Sequence, residues 1–270
     1  MKVFTNTKNE FYMDGYLNQN FSIAKEVIKN DWDMVFCIDG MEGSGKSVLA
    51  MQLAYFCDQT LDISRICFTP NELRKKIIES EKYTSIVYDE AYTGLSSRAT
   101  MSLINRTLIS MLAEIRQKNL FVFVVMPCFF DLDKYVALWR SRALIHVYTG
   151  KNFERGYFSF YNIHKKKELY VNGKKFYTYF KPKANFIGRF TNFYPIDEKE
   201  YKEKKRKSLI NRELRREEQD RKREADNELF IRLVSSEEKM THEQKISILG
   251  IPRPTYFYKL KKYREENGMI

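Results

Sequence analysis

Asp33-Met34-Val35-Phe36-Cys37-Ile38-Asp39-Gly40-Met41-Glu42-Gly43-Ser44-Gly45-Lys46-Ser47-Val48-Leu49-Ala50 is the stretch that decides the fold. Residues 33–39 form an apolar run with the length and composition of a buried strand. Residues 40–47 complete the pattern G-x-x-x-x-G-K-[ST], and the apolar run from Val48 to Phe56 predicts a helix. A phosphate loop needs this strand–loop–helix context. Glycines let the backbone curl so that several N–H groups converge on phosphate oxygens at the positive end of a helix. The candidate binding residues are Gly40, Gly43, Ser44, Gly45, Lys46 and Ser47. Lys46 is a point charge for the β- and γ-phosphates of ATP, and the Ser47 hydroxyl is a ligand for Mg2+.

The chain of 270 residues is long enough for one α/β domain of ordinary size and something smaller. Its 47 Lys and Arg against 35 Asp and Glu leave a formal charge of +12, which favours an acidic partner such as nucleic acid or an anionic surface. The longest apolar run, Leu120 to Phe130, contains Pro127 and is too short to span a bilayer. The first thirty residues are mixed and polar, without a signal pattern. The four cysteines (Cys37, Cys57, Cys67, Cys128) have no C-x-x-C spacing, so reduced, buried thiols are expected rather than a zinc site or a disulfide framework. These features predict a soluble, cytoplasmic chain with no membrane span.

Outward from the loop, residues 1–150 alternate strand-like and helical runs, the pattern of a parallel sheet covered by helices. Strands are expected around Ser64–Phe68, Ser85–Tyr88, Leu120–Met126 and Ala143–Tyr148. Helices are expected over Asn71–Glu79, Thr100–Lys118 and Leu132–Trp139. Residues 151–196 read as a basic, aromatic β extension. Between 151 and 194 there are ten Lys and Arg against two Glu, and Asn172-Gly173 between strand-like flanks predicts a hairpin. Residues 197–228 read as a charged, solvated connector helix with many i,i+4 opposite-sign pairs. Residues 229–270 read as a small C-terminal domain.

Ser85-Ile86-Val87-Tyr88-Asp89-Glu90 places two carboxylates at the end of a strand, across the crevice from Lys46. Asp89 suits a Mg2+ position and Glu90 the activation of an attacking water. Through the phosphate loop and this carboxylate pair, residues 30–150 resemble the phosphate-loop ATPases that carry an added strand and a catalytic glutamate. The resemblance implies ATP hydrolysis and the sheet order 5-1-4-3-2. Asp89-Glu90-Ala91, Leu112 to Asn119 and Phe121 to Pro127 are similar to the FtsK/HerA and zonular-occludens-toxin-like ATPases of viruses and mobile elements. Those families place a polar γ-phosphate sensor at the end of the fourth strand, where this chain has Met126-Pro127. They imply a ring in which a neighbouring subunit supplies an arginine. Arg140 and Arg142 are the pair chosen for that role, from a field that also includes Arg98, Arg106 and Arg116.

Near the C-terminus, Thr241-His242-Glu243-Gln244 is a capping box opening a short helix, and Gly250 supplies a turn. A second helix follows with a basic, aromatic face. The order of helix, glycine turn and basic helix resembles the helix-turn-helix of resolvases and transposases. In such a motif the second helix enters the major groove. That assigns Arg253, Thr255, Tyr256 and Lys259 to base edges, and Lys261 and Lys262 to phosphates of double-stranded DNA.

The expectation is an α/β, Mg2+-dependent ATPase acting on DNA as the translocation or packaging motor of a virus or mobile element, located in the host cytoplasm. The alternatives are a non-motor ATP switch that loads or positions DNA in replication or transposition, and an ATP-binding transcription regulator.

Overall fold

The computed structural model describes residues 2–4, 10–89, 109–111, 114–235 and 240–267. It divides into two compact units, Met1–Lys205 and Arg206–Ile270.

The first unit is built on a seven-stranded sheet. In chain order its elements are β1 (Lys2–Phe4), β2 (Glu10–Tyr12), α1 (Gly15–Val27), β3 (Met34–Gly40), α2 (Lys46–Cys57), β4 (Ile66–Cys67), α3 (Pro70–Glu79), β5 (Ser85–Tyr88) and β6 (Phe121–Val125). They continue with β7 (Ser141–Tyr148), β8 (Tyr157–Tyr161), α4 (Ile163–Gly173) and β9 (Phe186–Arg189). The sheet order is β4-β5-β6-β3-β7-β8-β9, while β1 and β2 pair separately as a short antiparallel ribbon. The first five strands are parallel, and β7/β8 and β8/β9 are antiparallel.

β3 lies in the middle with Val35 opposite Val122 on one side and Cys37 opposite Leu144 on the other. All seven of its residues are buried, as expected of a central parallel strand covered on both faces. Phe36 and Ile38 pack with α1 and α2, and Val35 and Cys37 join a second apolar cluster on the opposite face. Asp14 caps α1 by accepting from the Tyr16 and Leu17 amides. Thr69 caps α3, with Pro70 in its first turn. Cys37, Cys57 and Cys67 are buried free thiols and Cys128 is half-buried; burial pushes the Cys37 and Cys128 thiols up to about 11. Among the described residues no helix is long and apolar enough to cross a membrane.

Two expectations are corrected here. The hairpin at Asn172-Gly173 is absent: those residues end α4, whose start is capped by Asn162 accepting from the His164 and Lys165 amides. Lys166, Leu169 and Tyr170 of α4 are buried at helical spacing, and that burial overrides the local turn preference of Asn-Gly. Gly173 serves close approach instead, since a Cβ there would stand 2.5 Å from the Thr178 carbonyl oxygen and 2.9 Å from the Phe130 ring. The extension's strands are β8 and β9, on either side of this helix. The helix expected over Leu132–Trp139 is replaced in its second half by a π-turn, Val136–Arg140.

That turn exposes carbonyls which a lysine satisfies. Lys166 is fully buried, and its ammonium donates to the Ala137 and Leu138 carbonyls. Burial lowers its pKa from 10.5 to about 8. The unfolded chain keeps this proton up to pH 10.5 and the folded chain only to about 8, so Lys166 makes stability rise with pH between those values, by on the order of 3 kcal/mol. Urea unfolding of wild type and Lys166→Met at several pH values should show this rise in the wild type and its loss in the variant.

Candidate functional site

The site lies at the C-terminal ends of the parallel strands. The chain leaves β3 through Gly40 with φ +139, where a Cβ would stand 1.9 Å from the Val147 carbonyl oxygen of β7. Only glycine fits that approach. Gly45 caps α2 in the left-handed region, at φ +101, with the Phe190 ring 3.0 Å from where a Cβ would be. Between them Ser44 is buried, and its hydroxyl donates to the Met41 carbonyl at 2.8 Å. Beneath the loop, the buried Asp39 carboxylate accepts from the Phe129 amide at 3.0 Å and from the Tyr179 hydroxyl, and lies 2.9 Å from His146 Nδ1. This cluster braces the strand end from which the loop springs.

Lys46 is turned onto its own loop, donating to the Gly40 and Met41 carbonyls at 2.8 Å each. Burial lowers its pKa, opposed by the charges of Asp39, Asp89 and Glu42. The Ser47 hydroxyl donates to Asp89 Oδ1 at 2.8 Å, joining the start of α2 to the end of β5. Loop, Lys46, Ser47 and Asp89 line one cavity of about 420 Å³, within the range of small-molecule sites. Met126 and Pro127 line its wall beside them. Glu90, Arg98 and Arg106 lie outside the described residues.

The cavity contains residues that local sequence signals do not reveal. The helix α5 (Glu198–Ser235) has 38 residues, and its first turns belong to this unit. The Tyr201 hydroxyl donates to Asp89 Oδ2 at 2.5 Å, and the Lys205 ammonium lies 3.6 Å from the same oxygen. Burial and the Asp89 charge push the Tyr201 hydroxyl well above its ordinary range, so it stays protonated and donates. Tyr201 and Lys205 are four apart on one helix face, within a stretch that otherwise reads as a solvated connector. Arg155, from the turn between β7 and β8, also lines the cavity.

The pair Arg140 and Arg142 is placed elsewhere. Both are bound to the buried Asp33, at 2.5 Å and 3.5 Å, at the opposite end of β3 and β7 from the loop. Arg142 also stacks over Trp32 at 4.7 Å. A shared buried carboxylate gives both arginines a structural occupation, and neither reaches the cavity of its own chain.

In the second unit, α6 (His242–Leu249) carries the full capping box at Thr241 and Gln244, and Gly250 turns the chain at φ +60 into α7 (Arg253–Glu266). Phe230, Tyr256 and Leu260 form its core. Tyr256 is therefore corrected as a base-contacting residue: it is fully buried, with its hydroxyl 2.9 Å from His242 Nδ1. Arg253, Thr255, Lys261 and Lys262 are exposed, and Lys259 is half-buried with its ammonium on Asn227 at 3.0 Å. Arg253 pairs with Glu243, Lys261 with Glu265 and Lys262 with Glu266, all well-exposed pairs of small energetic weight.

No protein-family model and no curated protein matches the chain. Among solved structures, the N-terminal domain of zonular occludens toxin from Neisseria meningitidis is similar at 15% identity and a TM-score of 0.35. The match covers 63% of this chain and 98% of that one.

A hydrogen bond to a buried carboxylate contributes about 1.5–3 kcal/mol. A double-mutant cycle with Tyr201→Phe and Asp89→Ala, followed by chemical denaturation, should return a coupling of that size between the two side chains.

Proposed function

We propose that the chain is a Mg2+-dependent ATPase acting on double-stranded DNA, working as a ring-forming translocation or packaging motor of a virus or mobile element in the host cytoplasm. The observation that carries the ATPase reading is the Ser47 hydroxyl held 2.8 Å from Asp89 beside Lys46, in a cavity under a glycine-rich loop at a helix N-terminus. Lys46 leaves the Gly40 and Met41 carbonyls to meet phosphate oxygens. Ser47 and Asp89 are a hard-oxygen pair suited to Mg2+, which would neutralise phosphate charge. Glu90 follows Asp89 in the chain and is assigned to orient water. ATP turnover with Mg2+ should fall to background in Lys46→Ala. Glu90→Gln should retain nucleotide binding while losing turnover by on the order of a hundredfold or more. Unchanged turnover in both would refute the assignment.

The DNA reading rests on the +12 charge and on α7, where five basic residues face two acidic ones. In a helix-turn-helix reading, Arg253, Thr255 and Lys259 face base edges while Lys261 and Lys262 meet phosphates. Replacing Lys261 and Lys262 with alanine should weaken duplex DNA binding for all sequences alike. The log–log salt slope should fall by about 1 for each lysine, as read from binding isotherms at several salt concentrations.

One observation favours a switch over a motor as the second reading. Asp89 is held through Oδ2 by Tyr201 and Lys205 at the start of α5, so a metal drawing on the Asp89 charge competes with contacts made by that helix. Such a coupling would let nucleotide state change the helix without repeated strokes.

A further inference from the structure

We infer that Arg155 is a catalytic arginine that stabilises charge on the transferring phosphoryl group from within the same chain. The inference rests on the ATPase reading of the cavity and names a residue which that reading lacks.

Three observations carry it. First, the position is fixed. The turn that bears Arg155 is closed by the Gly150 amide donating to the Glu154 carbonyl at 2.8 Å, and the Phe190 amide donates to the Gly156 carbonyl at 2.9 Å. Gly156 has φ +97, and a Cβ there would stand 2.6 Å from the Phe190 carbonyl oxygen. The ring of Phe190 in turn packs against Gly45, so one residue ties the Arg155 turn to the phosphate loop. Second, the guanidinium reaches the loop: its Nη2 lies 3.8 Å from a Cβ built on Gly43. Third, no described carboxylate claims it. Of the four cations that line the cavity among the described residues, Lys46 lies on the loop carbonyls, Lys205 on Asp89 and Lys202 on Glu198. Among the described residues, Arg155 makes no hydrogen bond or ion pair.

The chemistry asks for such a group. Water forms a bond to the γ-phosphorus as the bond to the bridging oxygen breaks, and the electron pair leaves on ADP. The water proton is released toward Glu90. Charge grows on the phosphoryl and bridging oxygens, where a planar guanidinium with two parallel donors stabilises it. After β6, Met126 and Pro127 bring no polar side chain to the cavity wall, and Arg155 supplies a charged donor from a turn bordering the antiparallel extension.

The test uses the full chain. Arg155→Ala should lower ATP turnover by on the order of 10³-fold. It should also erase the preference for a non-hydrolysable ATP analogue over ADP, measured by calorimetry, while ADP affinity is unchanged. Arg155→Lys should recover only part of both, because the ammonium lacks the fork. Mixing Arg155→Ala with Lys46→Ala subunits separates cis from trans action: a cis arginine gives no recovery. Recovered turnover in the mixture would overturn the assignment to the same chain. Wild-type turnover and triphosphate preference in Arg155→Ala would overturn the inference while leaving the ATPase reading intact. A wild-type protein that neither binds nor hydrolyses ATP would instead overturn both.

Discussion

The Asp89 carboxylate is the junction on which the site depends. Ser47 binds one of its oxygens from the start of α2, and Tyr201 and Lys205 bind the other from the start of α5. Asp89 is 1% exposed, so those donors replace water that the carboxylate has lost. An unpaired buried carboxylate would be costly, which is why three elements converge on the end of β5. The same convergence makes the first turns of α5 part of the cavity wall.

A second constraint acts at the neighbouring strand. β3 must be buried on both faces to sit centrally, yet it ends in Asp39 and a loop that turns sharply at Gly40. Asp39 is tolerated there because the Phe129 amide, the Tyr179 hydroxyl and His146 satisfy it. The cluster draws on three separate segments, so the loop's base is tied to the extension as well as to the sheet. Arg155 and Phe190 continue the same theme, since the antiparallel strands bring a turn back over the loop. The extension thus acts as a wall of the site, and its basic charge includes a group that faces the cavity.

Much of this was legible in the chain alone, for a definite reason. Phosphate-loop spacing and the Thr241–Gln244 capping box are contracts between residues a few positions apart, so local sequence states them completely. The failures share the opposite property. Asn172-Gly173 carries a strong turn preference, but Lys166, Leu169 and Tyr170 bury a helical face and win. Tyr256 has the composition of a groove-reading residue, yet Phe230 and His242 enclose it. The hold of Asp33 on Arg140 and Arg142, more than a hundred positions away, is also long-range and equally unstated by local spacing.

The sequence by itself determined the strand–loop–helix, the glycines it requires and the carboxylate at the end of Ser85–Tyr88, because hydrogen-bond geometry and side-chain spacing are local properties. Only the tertiary structure decided which cations face the cavity. Arg155, Tyr201 and Lys205 come from a turn and a helix far along the chain. They meet Gly43 and Asp89 because the antiparallel strands and the start of α5 pack back over the strand ends. Nothing within a few residues of any of them records that packing.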